Sequence, residues 1–241
     1  MFGAAPTTPT LPPGIRIYAI GDIHGRSDLL RQAFERIEAD LAKYPAADPL
    51  EVFLGDYIDR GPKSAEVLTQ LIARGKTRRA ICLKGNHELY ILEFLRNPAV
   101  LKAWGQFGGL STLLSYGLTP SLNPNEEEAA ALSAEFDLVL PHTHRRFLGS
   151  LPISFTCGDY FFVHAGIRPS APLSHQRDED LLWIRDEFLF CEDSLEKIVV
   201  HGHTPVMEPE VHRNRINIDT GAYATGRLTC LKLEGDHISF I

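Results

Sequence analysis

One unit constrains the fold more than any other, and it occurs three times early in the chain: an apolar strand, a polar loop at its C-terminal end, then a helix. Ile15–Ile20 (IRIYAI) runs into Gly21-Asp22-Ile23-His24-Gly25. Apolar residues Leu30, Phe34, Ile37 and Leu41 then recur at helical spacing from about Asp28 to Ala42, with Ser27 as the expected N-cap. Val52-Phe53-Leu54 ends at Gly55, passes Asp56, Asp59 and Arg60, and reaches Gly61-Pro62 and a helix from about Lys63 to Ala73. Ala80–Leu83 leads into Lys84-Gly85-Asn86-His87-Glu88 and a helix through Leu95. Repeated βα units predict an α/β fold with a largely parallel sheet, whose ligands gather at the carboxyl ends of its strands.

The remainder has a different texture. Residues from about Pro98 to Ser150 read as a helical insertion: WGQFGGLSTLLSYG, then a capped acidic helix in SLNPNEEEAAALSAEFDLVL, then a short helix in PHTHRRFLGSL. After Pro152 the period becomes that of strands. Ile153–Phe155 and Tyr160–Val163 flank a turn, Ile198–Val200 and Ile216–Ile218 are buried-type runs, and Leu228–Leu233 pairs with His237–Ile241 around Gly235-Asp236. This β-rich last third is expected to form a second sheet packed on the first. With no linker to separate domains, residues 15–241 read as a single catalytic domain carrying the insertion at about 98–150. Residues 1–14, MFGAAPTTPTLPPG, read as a flexible proline-rich lead-in without the basic and apolar regions of a signal peptide.

Composition narrows the function classes. A formal net charge of −7 argues against a nucleic-acid binder, which needs a basic face. No apolar run reaches the length of a membrane span. Cys82, Cys157, Cys191 and Cys230 are scattered without a C-x-x-C and read as free thiols, which suits a reducing, cytoplasmic setting.

Five strand ends carry the polar residues: Asp22 and His24; Asp56, Asp59 and Arg60; Asn86 and His87; His164; and His203. Carboxylates and a guanidinium beside buried strands are costly to desolvate unless cations and an anionic ligand compensate them. Aspartate, histidine and asparagine together form a mixed oxygen and nitrogen site for first-row divalent metals, and the absence of thiolates argues against structural zinc. The donors outnumber the needs of one ion, so the simplest division is two ions sharing Asp56. Other histidines read as bystanders. His142 and His144 lie on a polar helical stretch without a partner ligand, His201 is sheet packing or a support for a ligand, and His175, His212 and His237 are solvated. Tyr223 is expected either at the edge of the site or in packing.

GDIHG at 21–25, GDYIDRGP at 55–62, GNHE at 85–88, VHAG at 163–166 and GHT at 202–204 resemble the binuclear metallophosphoesterase pattern. In particular they resemble the phosphoprotein phosphatase branch, with its bacterial and bacteriophage lambda serine/threonine phosphatases. The resemblance implies a metallophosphoesterase-type four-layer β-sandwich flanked by helices. It implies one metal on Asp22, His24 and Asp56 and a second on Asp56, Asn86, His164 and His203, with manganese first and iron, zinc or cobalt as the other choices. A bridging hydroxide would attack phosphorus in line. His87 would be the general acid and Asp59 its orienting partner, while Arg60, Arg185 and Asn86 would contact the phosphoryl group.

The implied substrate is a phosphorylated protein or small phosphoester, phosphoserine or phosphothreonine first. The alternative is a symmetrical diadenosine tetraphosphate hydrolase, a relative with the same metal motifs that typically carries GNHD and lacks the aspartate before the arginine. GNHE and Asp59 favour the phosphatase. A catalytically dead phosphate-binding module is opposed by the intact ligand set, and a nuclease has no basic track to support it.

Overall fold

The structure, a computed structural model, describes residues 8–241. Strand β1 (Ile15–Ile20) lies parallel to β2 (Asp48–Phe53), and β2 parallel to β3 (Ala80–Cys82). Both faces of β1 are covered, which is why IRIYAI shows no alternation of apolar and polar residues. Ile17 and Ala19 face a second sheet, whereas Tyr18 and Ile20 face helices. The second sheet has the order β4 (Ser154–Cys157), β5 (Tyr160–Val163), β6 (Ile198–His201), β8 (Arg215–Asn217), β7 (Glu210–Val211), parallel at its centre and antiparallel at both edges.

The C-terminal hairpin departs from expectation. β9 (Cys230–Glu234) and β10 (His237–Phe240) return to the first sheet, where β9 runs antiparallel to β1, giving β10-β9-β1-β2-β3. Alternation explains the choice: Leu231 and Leu233 join Ile17, Val52, Phe162, Val200 and Ile218 between the two sheets. Each such side chain, once buried, contributes about 1.5–3 kcal/mol.

Helices complete four layers. The helices α1 (Ser27–Lys43), α2 (Ser64–Thr77) and α3 (His87–Phe94) cover the first sheet. Against that helical face pack α4 (Leu101–Gln106), α5 (Gly109–Ser115), α6 (Glu126–Val139) and α7 (His142–Gly149), which share its apolar cluster. On the outer face of the second sheet, Phe161, Val163 and Val199 pack against Leu181 of α8 (Asp178–Trp183) and Phe188 of α9 (Asp186–Leu189). None of the described helices is long and apolar enough to cross a membrane.

Two local expectations resolve differently, and a third holds. Ser27 is the first residue of α1 rather than its cap, and among the described residues no side chain caps that helix; Asp28 in the first turn supplies the favourable charge instead. By contrast α6 is capped as its sequence suggests, with the Asn125 side chain accepting from Glu128 N at 2.8 Å. The lead-in is docked from residue 10 onward. Thr10 N donates to Asp159 Oδ2 and Leu11 N to Gly235 O, each at 2.9 Å, and Leu11 is buried in the core between the sheets. The expected flexibility over 1–14 therefore does not extend to this part, and residues 1–7 lie outside the described residues.

Candidate metal centre

The loops after β1, β2, β3, β5 and β6 bring the motif residues together, and Asp56 is the hub. Its Oδ2 lies 3.5 Å from His24 Nε2 and 3.7 Å from His87 Nε2, while its Oδ1 lies 3.4 Å from His164 Nε2. One buried carboxylate therefore faces two donor clusters, His24-Asp56-His87 and Asp56-His164-His203. Asn86 Oδ1 completes the second, 2.8 Å from His164 Nε2 and 3.0 Å from His203 Nδ1. Asp22 stands slightly apart: its Oδ2 accepts from His203 N at 3.1 Å, and its Oδ1 is buried with no hydrogen-bond partner among the described residues.

The hydrogen bonds fix which atoms are free to ligate. Nδ1 of His24 donates to Ile58 O at 2.8 Å and Nδ1 of His164 to Leu54 O at 3.0 Å, so in the neutral rings both Nε2 atoms present lone pairs to the centre. Burial depresses the basicity of both rings, that of His24 to about 3. Burial, then the charges of Asp219 and Asp56, push the Asp22 carboxyl well above the usual range. Burial would also raise Asp56, but His164, His87, His24 and His203 outweigh it and hold Asp56 low. Lone pairs of Nε2 of His164, Oδ1 of Asn86 and Oδ1 of Asp56 converge with too few protons to share, beside the orphaned Oδ1 of Asp22. Such a donor set fits divalent cations.

Backbone geometry serves the same end. The non-glycine residues at positive φ among those described are His24, Asp56, Asp59, Arg60 and His203, all of them candidate site residues. Two glycines allow close approach to the carboxylates: a Cβ at Gly202 would stand 2.1 Å from Asp22 Oδ1, and one at Gly85 2.2 Å from Asp56 Oδ1. Glu88, to which the sequence reading gave no role, accepts from Gly85 N, Asp56 N and Tyr57 N at 2.8–2.9 Å and so ties two of the loops together. Burial and the Asp56 charge push its carboxyl up to about 8.

Beside this cluster His87 Nδ1 meets Asp59 Oδ2 at 2.6 Å. Burial works against the charged ring, yet Asp56 and Asp59 prevail and raise its basicity above that of free histidine. The helical insertion holds Asp59 in turn: Trp104 Nε1 donates to Oδ2 at 2.8 Å and Thr112 Oγ1 to Oδ1 at 2.6 Å. Gly108 O accepts from Arg60 N at 3.2 Å, and Gly108 sits at φ +96 where a Cβ would lie 2.7 Å from that nitrogen. Trp104 and Thr112 escaped the sequence reading. The one available signal was the indole itself, since a tryptophan buried in an apolar helix pair still needs an acceptor for its N–H.

The remaining expectations sort readily. Arg60 Nη2 reaches His87 Nε2 at 3.4 Å and its guanidinium stacks on Tyr223 of α10 (Ala222–Thr225), 4.8 Å from the ring. Tyr223 also stands edge-on to His24, which places it at the rim. Arg185 Nε donates to His203 Nε2 at 3.2 Å. His201 is fully buried against Phe188 and points away from the cluster partners. His144 is buried between Tyr116 and Thr69 and so is structural; His142, His175, His212 and His237 are exposed.

Known proteins resemble the chain in sequence and fold. The sequence is 30% identical over 226 residues to serine/threonine-protein phosphatase 2 of Escherichia coli, covering 90% of this chain and 93% of that one. It is 28% identical over 236 residues to the asymmetrical bis(5'-nucleosyl)-tetraphosphatase PrpE of Halalkalibacterium halodurans, covering 88% of each. The fold matches the cold-active protein-tyrosine phosphatase of a psychrophilic Shewanella with a TM-score of 0.62 at 16% identity, over 95% of this chain and 80% of that one. The calcineurin-like phosphoesterase profile matches residues 15–238, and the chain belongs to that family of metallophosphoesterases, hydrolases of phosphoesters.

Proposed function

We propose that this hydrolase is a metal-dependent phosphomonoesterase that removes phosphate from serine and threonine side chains of proteins. The observation that carries the reading is the 2.6 Å His87–Asp59 pair beside Asp56. An alkoxide is a poor leaving group and needs a proton as its bond to phosphorus breaks. A nucleotide leaving from a polyphosphate is stable as an anion and has far less use for one.

Asp22, His24 and Asp56 would hold one divalent cation, and Asp56, Asn86, His164 and His203 the other. Bound there, such ions supply Lewis acidity toward the phosphoryl oxygens and a water acidic enough to deprotonate near neutral pH. The chain's own residues do the rest. Asp59 fixes the His87 ring through Nδ1, which leaves Nε2 to carry the proton toward the centre and deliver it to the leaving oxygen. Trp104 and Thr112 keep Asp59 from rotating out of that line. Arg60 and Arg185 flank the cluster on opposite sides, on His87 and His203, where their guanidinium forks can clasp the phosphoryl oxygens.

A second reading, hydrolysis of a dinucleoside tetraphosphate, draws support from the PrpE relatives. The exposed rings of Phe107, Trp183 and Tyr223, edge-on to His87, His203 and His24, could stack a purine. Turnover of a phosphoserine peptide, a phosphotyrosine peptide and diadenosine tetraphosphate by manganese-loaded protein separates the two. The phosphoserine peptide is expected to have the highest kcat/KM; a preference for the dinucleotide would replace the first reading with the second.

A further inference from the structure

The edge of the first sheet remote from its C-terminal hairpin is β3, and its pairing is incomplete. Glu51 N donates to Arg79 O and Leu83 N to Phe53 O, so the alternate residues Ala80 and Cys82 turn their N–H and C=O groups away from β2. Among the described residues those outward groups have no hydrogen-bond partner. The next in the outward series does: Lys84 N donates to Pro152 O at 2.8 Å. The same chain thus meets this edge at Pro152 through a single backbone bond.

A groove of about 620 Å³ lies along this edge. Leu71, Ile81, Phe147 and Leu151 give it an apolar lining, and Lys76 and Arg146 stand exposed on its rim without an ion pair among the described residues. It shares no residue with the metal centre. Unsatisfied edge strands are liabilities that folded proteins ordinarily cover, twist away or block with charge. Here the edge is flanked by unpaired cations and an apolar trough, a combination that fits a strand arriving from outside.

We propose that this groove binds an extended segment of a partner protein, adding as a strand to β3, with apolar and acidic side chains taking turns along the one face that meets α2 and α7. Ala80 and Cys82 supply main-chain hydrogen bonds, Leu71 and Phe147 take the apolar side chains, and Lys76 and Arg146 select negative charge. The proposal does not depend on which phosphoester the metal centre hydrolyses, because its readout is binding rather than turnover.

The test uses a fluorescein-labelled peptide of repeating Val-Thr-Glu-Thr, which places valine and glutamate on one strand face, against the full chain, followed by anisotropy, with a Val-Thr-Lys-Thr peptide of equal length as counterpart. Saturable binding of the glutamate peptide is expected. The double variant Lys76→Glu/Arg146→Glu should weaken it by about tenfold or more. Ala80→Pro, tolerable because that N–H makes no bond to β2, should weaken it too; the charge-reversed protein keeps the test decisive if the proline variant does not fold. Equal affinity for the lysine peptide, indifference to charge reversal, or no saturation at millimolar glutamate peptide would each overturn the proposal. Self-association of the chain that is lost in the charge-reversed variant would overturn it as well, by making a second copy the occupant.

Discussion

The strand-end loops and the helical insertion meet around Asp59, and they contribute to the site differently. The loops crowd donors with unshared lone pairs around Asp56, an arrangement that is electrostatically unfavourable until cations enter. The insertion does the reverse. Through Trp104 and Thr112 it satisfies both oxygens of Asp59 with neutral donors, and the pair with His87 is complete before any ligand arrives. One region is poised to bind, whereas the other is already organised. Metal capture and proton delivery should therefore be separable by mutation.

Asp56→Asn gives the largest expected effect. It removes the charge both clusters share, so turnover should fall on the order of 10³-fold or more. Metal content by elemental analysis should fall with it; an active variant with two ions would end the idea of a shared carboxylate. His87→Asn acts on the other side. Metal content should stay near wild type while the rate drops by about 10²-fold for alkyl phosphates and much less for aryl phosphates. An equal loss for both leaving groups would remove the proton-donor role.

Trp104→Phe combined with Thr112→Val probes the insertion, because the two changes delete both donors to the Asp59 carboxylate, together with the hydroxyl that accepts from Asp59 N. A loss of about 10- to 100-fold in kcat with unchanged metal content is expected. A parallel loss of metal would show that the two regions are not separable after all. The smallest effect is in the pH profile. Since His87 is more basic in the folded protein than when free, its proton is present at low pH and lost as pH rises through that raised value. Turnover of an alkyl phosphate should therefore decline on the alkaline side. In the Trp104/Thr112 double variant that decline should move, because Asp59 no longer holds the ring; a profile identical to wild type would deny the insertion its influence.

The two regions also differ in what a sequence can reveal. Asp22, His24, Asp56, Asn86, His164 and His203 are legible as candidates because each lies in the short polar loop that follows a strand, and the strands announce themselves by runs of apolar residues. The support of Asp59 is not legible. Trp104 and Thr112 lie 45 and 53 positions away on helices whose pattern reports only which face is apolar. For similar reasons the C-terminal hairpin could not be assigned to a sheet in advance. Its alternation predicts strands with one buried face, and either sheet could have supplied the cover. Leu11 was hidden by its neighbours, since prolines and threonines around a lone leucine give no period at all.

The left-handed backbone at His24, Asp56, Asp59, Arg60 and His203 has a practical consequence. Short peptides excised from these loops would relax to ordinary extended shapes and lose their aim, so the motifs are inert outside their frame. Any design that transplants this chemistry onto another scaffold must carry over the turns along with the side chains.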